Sequence, residues 1–289
     1  MCSESSIVRA RSWAASLWDE ASRRWTGREG QDRNFRKYVV HPALRVAFRE
    51  RFPGRDLSLV DLGCGDGAFL DDPENRELIG DGGVYCGVDV SGELIAAAQR
   101  RHPEVLSLYI RGDLSDPETV ERVVRTGIVW DAALSIFVIQ EIPEAVSLLD
   151  TLARILKPGG LALVLTVLPS FGDWLRDEGH MPVEEDLVPD GGGSPGFWRW
   201  AGRYPIVDEP REPFHLPYFH RTVEDYRAAF GNAGFRDIEM REIPGDHARD
   251  DLTACGMSPF APSETNVYWP RMGGAPSALL VIAVKGSDT

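Results

Sequence analysis

Lysine is nearly missing from this 289-residue chain: Lys37, Lys157 and Lys285 are the only three. Basic side chains are otherwise arginine, a bias that points to a GC-rich bacterial genome and says nothing about fold. Positive charge is in deficit overall, with a formal net charge of −14. A nucleic-acid binder carries a basic footprint, so DNA or RNA as substrate is disfavoured. Cysteine is sparse too. Cys2, Cys64, Cys86 and Cys255 form no C-x-x-C pair and no zinc-spaced cluster with histidine, so a structural metal or a disulfide framework is not expected. Cys64 and Cys86 read as small apolar residues. No apolar run of about 18 residues is present, and the start of the chain lacks the apolar centre of a signal peptide. The expectation is a soluble cytoplasmic protein with no membrane partner.

What is present is an ordinary globular composition, 43% hydrophobic and 26% charged, long enough for one large α/β domain with an insertion. Its most informative stretch is Val60-Asp61-Leu62-Gly63-Cys64-Gly65-Asp66-Gly67. An apolar strand, Leu57 to Leu62, runs into a glycine-rich turn where the backbone can bend sharply and approach a ligand. A second apolar strand, Val84 to Val90, carries Asp89 near its end. In a doubly wound sheet that carboxylate sits beside the first glycine turn and can accept hydrogen bonds from ribose hydroxyls.

Strand and helix alternate from there. Ser91 is placed to cap a helix over Glu93–His102, and Leu106–Arg111 reads as a third strand. Trp130–Phe137 is a fourth strand, and a helix over Pro143–Leu156 is stopped by Lys157-Pro158-Gly159-Gly160. Leu161–Val167 is an apolar fifth strand. This rhythm predicts a parallel sheet covered on both faces. Before it, Ile7 to Phe52 is helix-rich, with Trp13, Leu17, Trp18 and Ala21 on one helical face. After it, residues 169–222 are rich in Pro, Gly and aromatics without clear periodicity. Thr222 then caps a helix closed by Gly234, and strands Phe235–Ile243 and Ala278–Lys285 finish the chain. The expected organisation is an N-terminal helical cap (1–54), a ligand-binding core (55–168), a substrate-side insertion (169–222) and the end of the core (223–289).

Five motifs in order give the chain a family resemblance. They are V-D-L-G-C-G-D-G at 60–67, G-V-D-V-S at 87–91, R-G-D-L at 111–114, W-D-A-A-L-S at 130–135 and L-K-P-G-G at 156–160. Together they resemble the class I S-adenosylmethionine (SAM)-dependent methyltransferases. The late segment from Tyr218 to Phe235 is similar to a bacterial branch acting on small molecules. The resemblance implies a Rossmann-like seven-stranded sheet ordered 3-2-1-4-5-7-6 with strand 7 antiparallel. It places Asp61, Gly63 and Gly65 at the methionyl part of SAM, Asp89 at the ribose diol and Val90 on the adenine face. Asp113 would take the adenine amino group with Leu114 beside it, and Ser135 would lie near the sulfonium. Arg36 and Tyr38 form an R-x-Y before the first strand, which assigns Tyr38 to the carboxylate end of the cofactor.

Methyl transfer is an in-line displacement on an already activated carbon, so the enzyme chiefly aligns the acceptor, and a hydroxyl acceptor also needs a base. The candidate bases are His215, His220 and Glu141, the last standing where many relatives carry histidine. No metal is required; His247 with Asp250 and Asp251 reads as loop charge. The aromatic residues Phe171, Trp174, Phe197, Trp198, Trp200, Tyr204, Phe214 and Tyr218 either line an apolar acceptor pocket or form the insertion's own small core. Arg199, Arg203 and Arg211 either meet an acceptor carboxylate or are solvated. The expected activity is methylation of an O or N atom of a small molecule in bacterial specialised metabolism, with a homodimer as a further expectation. A SAM-binding protein of the same fold without methyl transfer is the alternative. A nicotinamide oxidoreductase is disfavoured by the G-x-G-x-G spacing. DNA-base methylation is disfavoured because Ser135-Ile136-Phe137-Val138 replaces the Asn/Asp-Pro-Pro-aromatic signature.

Overall fold

The computed structural model describes residues 16–20, 22, 36–103, 107–143, 145–177, 183–186, 200–206, 214–244 and 276–287. A π-helical turn over Arg36–Val40 leads into α1 (His41–Arg51). The core then runs β1 (Ser58–Leu62), α2 (Pro73–Ile79), β2 (Val84–Asp89), α3 (Gly92–Arg101), β3 (Ser107–Arg111), α4 (Pro117–Val124), β4 (Trp130–Ile136), α5 (Ala145–Ile155) and β5 (Leu156–Val167). After α6 (Pro169–Asp177) come β6 (Val183–Asp186), β7 (Trp200–Ile206) and β8 (Phe214–His220). The chain returns to the main sheet through α7 (Val223–Asn232), β9 (Phe235–Pro244) and β10 (Pro276–Lys285).

The main sheet has the order β3-β2-β1-β4-β5-β10-β9. With β9 and β10 counted as sixth and seventh strands, this is the order 3-2-1-4-5-7-6. β1 to β5 pair in parallel, and β10 pairs antiparallel with both β5 and β9. Strand side chains alternate between faces. In β1, Val60 and Leu62 enter one core with Trp130, Leu148, Leu152 and Phe230, whereas Leu59 enters the opposite one with Leu44, Phe48 and Phe69. Both faces are apolar because helices cover both, as expected of a parallel sheet.

Local chemistry sets the helix ends. Asp72, Ser91 and Asp116 each accept a backbone N–H at the start of the following helix. Thr222 opens α7 with a reciprocal capping box to Asp225.

Two regions differ from the sequence expectation. β5 begins at Leu156, not Leu161. Trp130 pairs with Leu156 and Ala132 with Leu161, so Lys157–Gly160 loops out between two paired positions and Gly159 has φ 76°. The breaker residues do interrupt the ladder, as a bulge within one strand. Residues 169–222 hold regular structure: α6, then a three-stranded antiparallel sheet in the order β6-β7-β8. Short strands containing proline (Pro205, Pro217) hide their alternation. No helix among the described residues is long and apolar enough to cross a membrane.

Candidate functional site

The parallel strands β2, β1 and β4 end side by side at one sheet edge, and the glycine turn leaves the middle one. Gly63, Gly65 and Gly67 all have positive φ, 84°, 56° and 77°. At Gly63 a Cβ would also lie 2.1 Å from Val138 Cγ2, so only glycine lets the turn pass beneath the segment after β4. The turn is pinned to β2. Gly63 N and Cys64 N donate to Val88 O at 2.7 and 3.0 Å, and Gly65 N donates to Asp89 Oδ2 at 2.9 Å. Asp89 Oδ1 accepts from Ser91 N at 2.9 Å.

Four charged groups converge on this turn: Asp61, Asp89, Glu141 and Arg36. Asp61 is 2% exposed, and its Oδ2 accepts from the Tyr85 hydroxyl at 2.8 Å. Burial pushes its carboxyl up to about 7, against the Tyr85 hydrogen bond, with the Asp89 charge adding to the rise and Arg36 opposing it. Burial likewise pushes Asp89 up to about 6, against its two backbone hydrogen bonds, and Asp19 and Asp66 add to the rise. The Glu141 carboxyl accepts from Trp18 Nε1 at 3.0 Å. Desolvation raises it well above the ordinary carboxylate range, with Asp89 adding to the shift and Arg36 offsetting it. Each carboxylate oxygen has more than one lone pair, so these buried groups keep acceptor capacity for a ligand that brings a cationic group and hydroxyl donors of its own.

Other predicted residues fall in distinct places. Val90 and Asp113 line one open depression of about 330 Å³ beyond β2 and β3, together with Arg111, Gly112, Thr119 and Arg122. Asp113 Oδ1 accepts from both Ser115 N and Ser115 Oγ, at 2.8 and 2.7 Å, while Asp116 rather than Asp113 caps α4. Leu114 is buried in the main core. Ser135 is fully buried near the end of β4, and its hydroxyl makes no hydrogen bond among the described residues. Tyr38 lies in the π-helical turn, and its side chain is outside the described residues.

Of the candidate bases, Glu141 is joined through the Trp18 hydrogen bond to the helical residues 16–20. His220 is 3% exposed and its Nε2 lies 3.5 Å from Asp173 Oδ1 of α6. His215 sits on β8 opposite Pro205, with its side chain outside the described residues. In the aromatic group, Phe171 and Trp174 stack at 5.7 Å between centroids, and Phe171 and Tyr218 are buried in the main core. Phe197, Trp198, Arg199, Arg211, His247, Asp250 and Asp251 lie outside the described residues. Only the backbone of Trp200, Arg203, Tyr204 and Phe214 is described. Among the described residues no group of three or more His, Cys, Asp or Glu side chains is arranged to hold a metal ion.

Several residues here escaped the sequence reading. Arg221 is 2% exposed and donates to four carbonyl oxygens: Ile139 at 3.1 Å, Phe219 at 3.3 Å, Ile142 at 2.7 Å and Pro143 at 2.8 Å. It binds the segment carrying Glu141 to the end of β8. Buried Gln140, beside Glu141, accepts from Thr166 Oγ1 at 3.1 Å, and Thr166 Oγ1 is 3.3 Å from the Tyr226 hydroxyl. Phe137, just past β4, holds φ 56°, a strained conformation for an aromatic residue, with the Arg36 guanidinium 6.0 Å from its ring centroid. One missed contact did leave a sequence signal. Gly87, inside β2 and paired with Asp61, marks a crowded point: a Cβ there would lie 2.7 Å from Cys64 Sγ and 2.9 Å from the Tyr109 ring.

A family model described as a methyltransferase domain matches residues 32–240. A ubiquinone biosynthesis O-methyltransferase from Methylobacterium nodulans is 31% identical over 120 residues, 41% of this chain and 44% of that protein. A 2-phytyl-1,4-naphtoquinone methyltransferase from Synechococcus elongatus is 26% identical over 162 residues, 54% of this chain and 64% of that protein. The matches thus span less than two thirds of either relative. Among solved structures, a SAM-dependent methyltransferase from Mesorhizobium loti aligns with a TM-score of 0.54 at 22% identity, covering 84% of this chain and 96% of that one. Magnesium protoporphyrin IX methyltransferase from Synechocystis, solved with bound SAH, aligns with a TM-score of 0.55 at 18% identity, covering 96% and 99%. At these identities the two structures establish the fold.

Proposed function

The chain belongs to the methyltransferase-domain family of class I SAM-dependent proteins, and from that premise we propose that it binds SAM over the glycine turn and methylates an O or N atom of a small molecule, in bacterial specialised metabolism. The observation that carries this reading is the pair of buried carboxylates, Asp61 and Asp89, raised to about 7 and about 6 on either side of the turn. SAM brings an α-ammonium and a ribose diol, two donor types these carboxylates can accept from, together with a methyl group already activated by its sulfonium.

In this reading Asp61, oriented by Tyr85, takes the ammonium. Asp89, held by Gly65 N and Ser91 N, takes the diol. Val90 and Asp113 take the adenine in the depression they share, with Leu114 behind them in the core. Gly63 and Gly65 let the backbone approach the methionyl chain, Arg36 and Tyr38 serve its carboxylate, and the unpartnered Ser135 hydroxyl faces the sulfonium end.

Glu141 is the proposed general base. Its desolvated carboxyl is a stronger base than an exposed glutamate, and the Trp18 N–H fixes one oxygen so that the other can meet an acceptor hydroxyl. A raised carboxyl must first ionise, so turnover should climb with pH. His220, paired with Asp173 and joined to the Glu141 segment through Arg221, is the second candidate, and His215 the third. The names of the curated relatives concern quinones, which makes hydroquinones and catechols the first acceptors to assay.

The test is calorimetric titration with S-adenosylhomocysteine (SAH), followed by transfer of labelled methyl from SAM to a hydroquinone, catechol and amine panel. Glu141→Gln should lower turnover on a hydroxyl acceptor by about 10²–10⁴ with SAH affinity nearly unchanged. Absence of SAH binding would refute the cofactor assignment; bound SAH with no methylated product would favour the non-transferring alternative.

A further inference from the structure

Residues 16–20 are helical, and two consecutive side chains among them anchor at different points of the sheet edge. Trp18 Nε1 donates to Glu141 Oε2 at 3.0 Å. Asp19 Oδ1 accepts from Ser91 Oγ at 2.6 Å and from Glu93 N at 3.3 Å, and Asp19 Oδ2 lies 3.8 Å from the Arg111 guanidinium. Ser91 follows β2, and Glu141 follows β4. β1 lies between these strands and parallel to both. The two anchors thus lie beyond the ends of the two strands that flank β1. A segment reaching both from adjacent residues bridges from the start of α3 to the turn after β4, the two sides of the strand that feeds the glycine turn. Leu17 and Trp18 also pack on Leu216 of β8.

We infer that Trp18 and Asp19 are positioning residues of the cofactor cleft, and that their segment roofs the bound cofactor and sets how fast it leaves. The inference rests on the cofactor reading above. The hydrogen bonds give each residue a definite task. The Ser91 hydroxyl accepts from Leu94 N at 3.2 Å, so its proton is free to go to Asp19, and Asp19 also takes Glu93 N, one of the unpaired amides at the start of α3. That fixes the turn whose Ser91 N holds Asp89. Trp18 fixes the Glu141 carboxyl from the other side. Asp19 and Asp89 are close enough for like-charge repulsion to register at Asp89. Hydroxyl donors brought to Asp89 offset that repulsion, so cofactor and roof stabilise each other.

The experiment is SAH dissociation from the full chain, followed by stopped-flow displacement with excess SAM, alongside urea unfolding of each variant. Trp18→Phe removes one hydrogen bond to a carboxylate and keeps the ring's apolar bulk. Asp19→Ala removes the acceptor for Ser91 and Glu93. Each should raise the dissociation rate about tenfold or more, with the unfolding midpoint little changed. Asp19→Asn keeps an acceptor oxygen and should recover most of the wild-type rate. Glu20→Ala, exposed on the same segment, should behave as wild type. Wild type that binds SAH, with Trp18→Phe and Asp19→Ala rates within twofold of it, overturns the roof. Equal acceleration in Asp19→Asn and Glu20→Ala overturns it too, because that marks general loosening. Failure of the wild type to bind SAH overturns the cofactor reading and the roof with it.

Discussion

SAH binding should release protons below neutrality, and the two buried carboxylates set the number. The free protein holds Asp61 at about 7 and Asp89 at about 6. A ligand ammonium at Asp61 and hydroxyl donors at Asp89 favour the ionised forms, so protons bound in the free protein leave on binding. At pH 6 Asp61 is roughly 90% protonated and Asp89 about half, giving roughly 1.4 protons released; at pH 8 the figure is roughly 0.1. With both groups fully ionised in the complex, affinity should be about 20-fold weaker at pH 6 than at pH 8, or about 1.8 kcal/mol. Titration calorimetry in buffers of different ionisation enthalpy reads the proton count from the slope. Asp61→Asn keeps an acceptor for Tyr85 and should remove about 0.9 of the protons at pH 6. Stability follows the same linkage with a definite sign. Both folded values are raised, so the stability these groups contribute is full below about pH 4 and lost as pH rises through 6 to 7. SAH should therefore protect against thermal unfolding more at pH 8 than at pH 6. A binding enthalpy independent of buffer at pH 6, with equal affinity at both pH values, would refute the assignment of these carboxylates to the ligand.

Tyr85→Phe deletes the hydroxyl that favours ionised Asp61, so the midpoint of the pH dependence of SAH affinity should move up by about one pH unit. Arg221→Ala removes a donor from four buried carbonyl oxygens, of which Ile139 O keeps Ile142 N at 3.4 Å, and should cost about 3–5 kcal/mol in urea unfolding, with Arg221→Lys recovering only part. Thr222→Ala breaks the capping box of α7 and should cost about 1 kcal/mol while leaving SAH affinity unchanged, measured by the same two assays.

The sheet was legible because its strands are buried on both faces. Continuous apolar runs such as Leu161–Val167, set between helices with Ser91 or Thr222 at their starts, carry a signal that needs no tertiary context. The glycine turn and Asp89 were legible for a related reason: backbone conformation and strand-end position are local properties. The three-stranded sheet β6-β7-β8 was not. Its pairing joins residues far apart in sequence, such as Trp200 with His220, and proline masks the alternation. Arg221 was hidden because its partners are backbone carbonyls, which any sequence supplies. Trp18 was readable as part of an apolar helical face, but its indole N–H finds Glu141 123 residues away, a contact no spacing rule reaches. For the aromatic residues of the insertion, composition left pocket and core equally open. Phe171 and Tyr218 are core residues of the main fold, so their abundance is no measure of a pocket.

The junction at Phe219-His220-Arg221-Thr222 bears on how the insertion is held to the main fold. The three-stranded sheet enters after β5 and leaves straight into α7, and the guanidinium at its exit donates to three main-chain oxygens of the segment after β4. A grip on main chain is indifferent to the side chains it passes. These contacts therefore hold the exit beside Glu141 whatever side chains the segment after β4 carries. The exit of the insertion is thus plugged into the main fold twice, by Arg221 through main chain and by Tyr218 through the core.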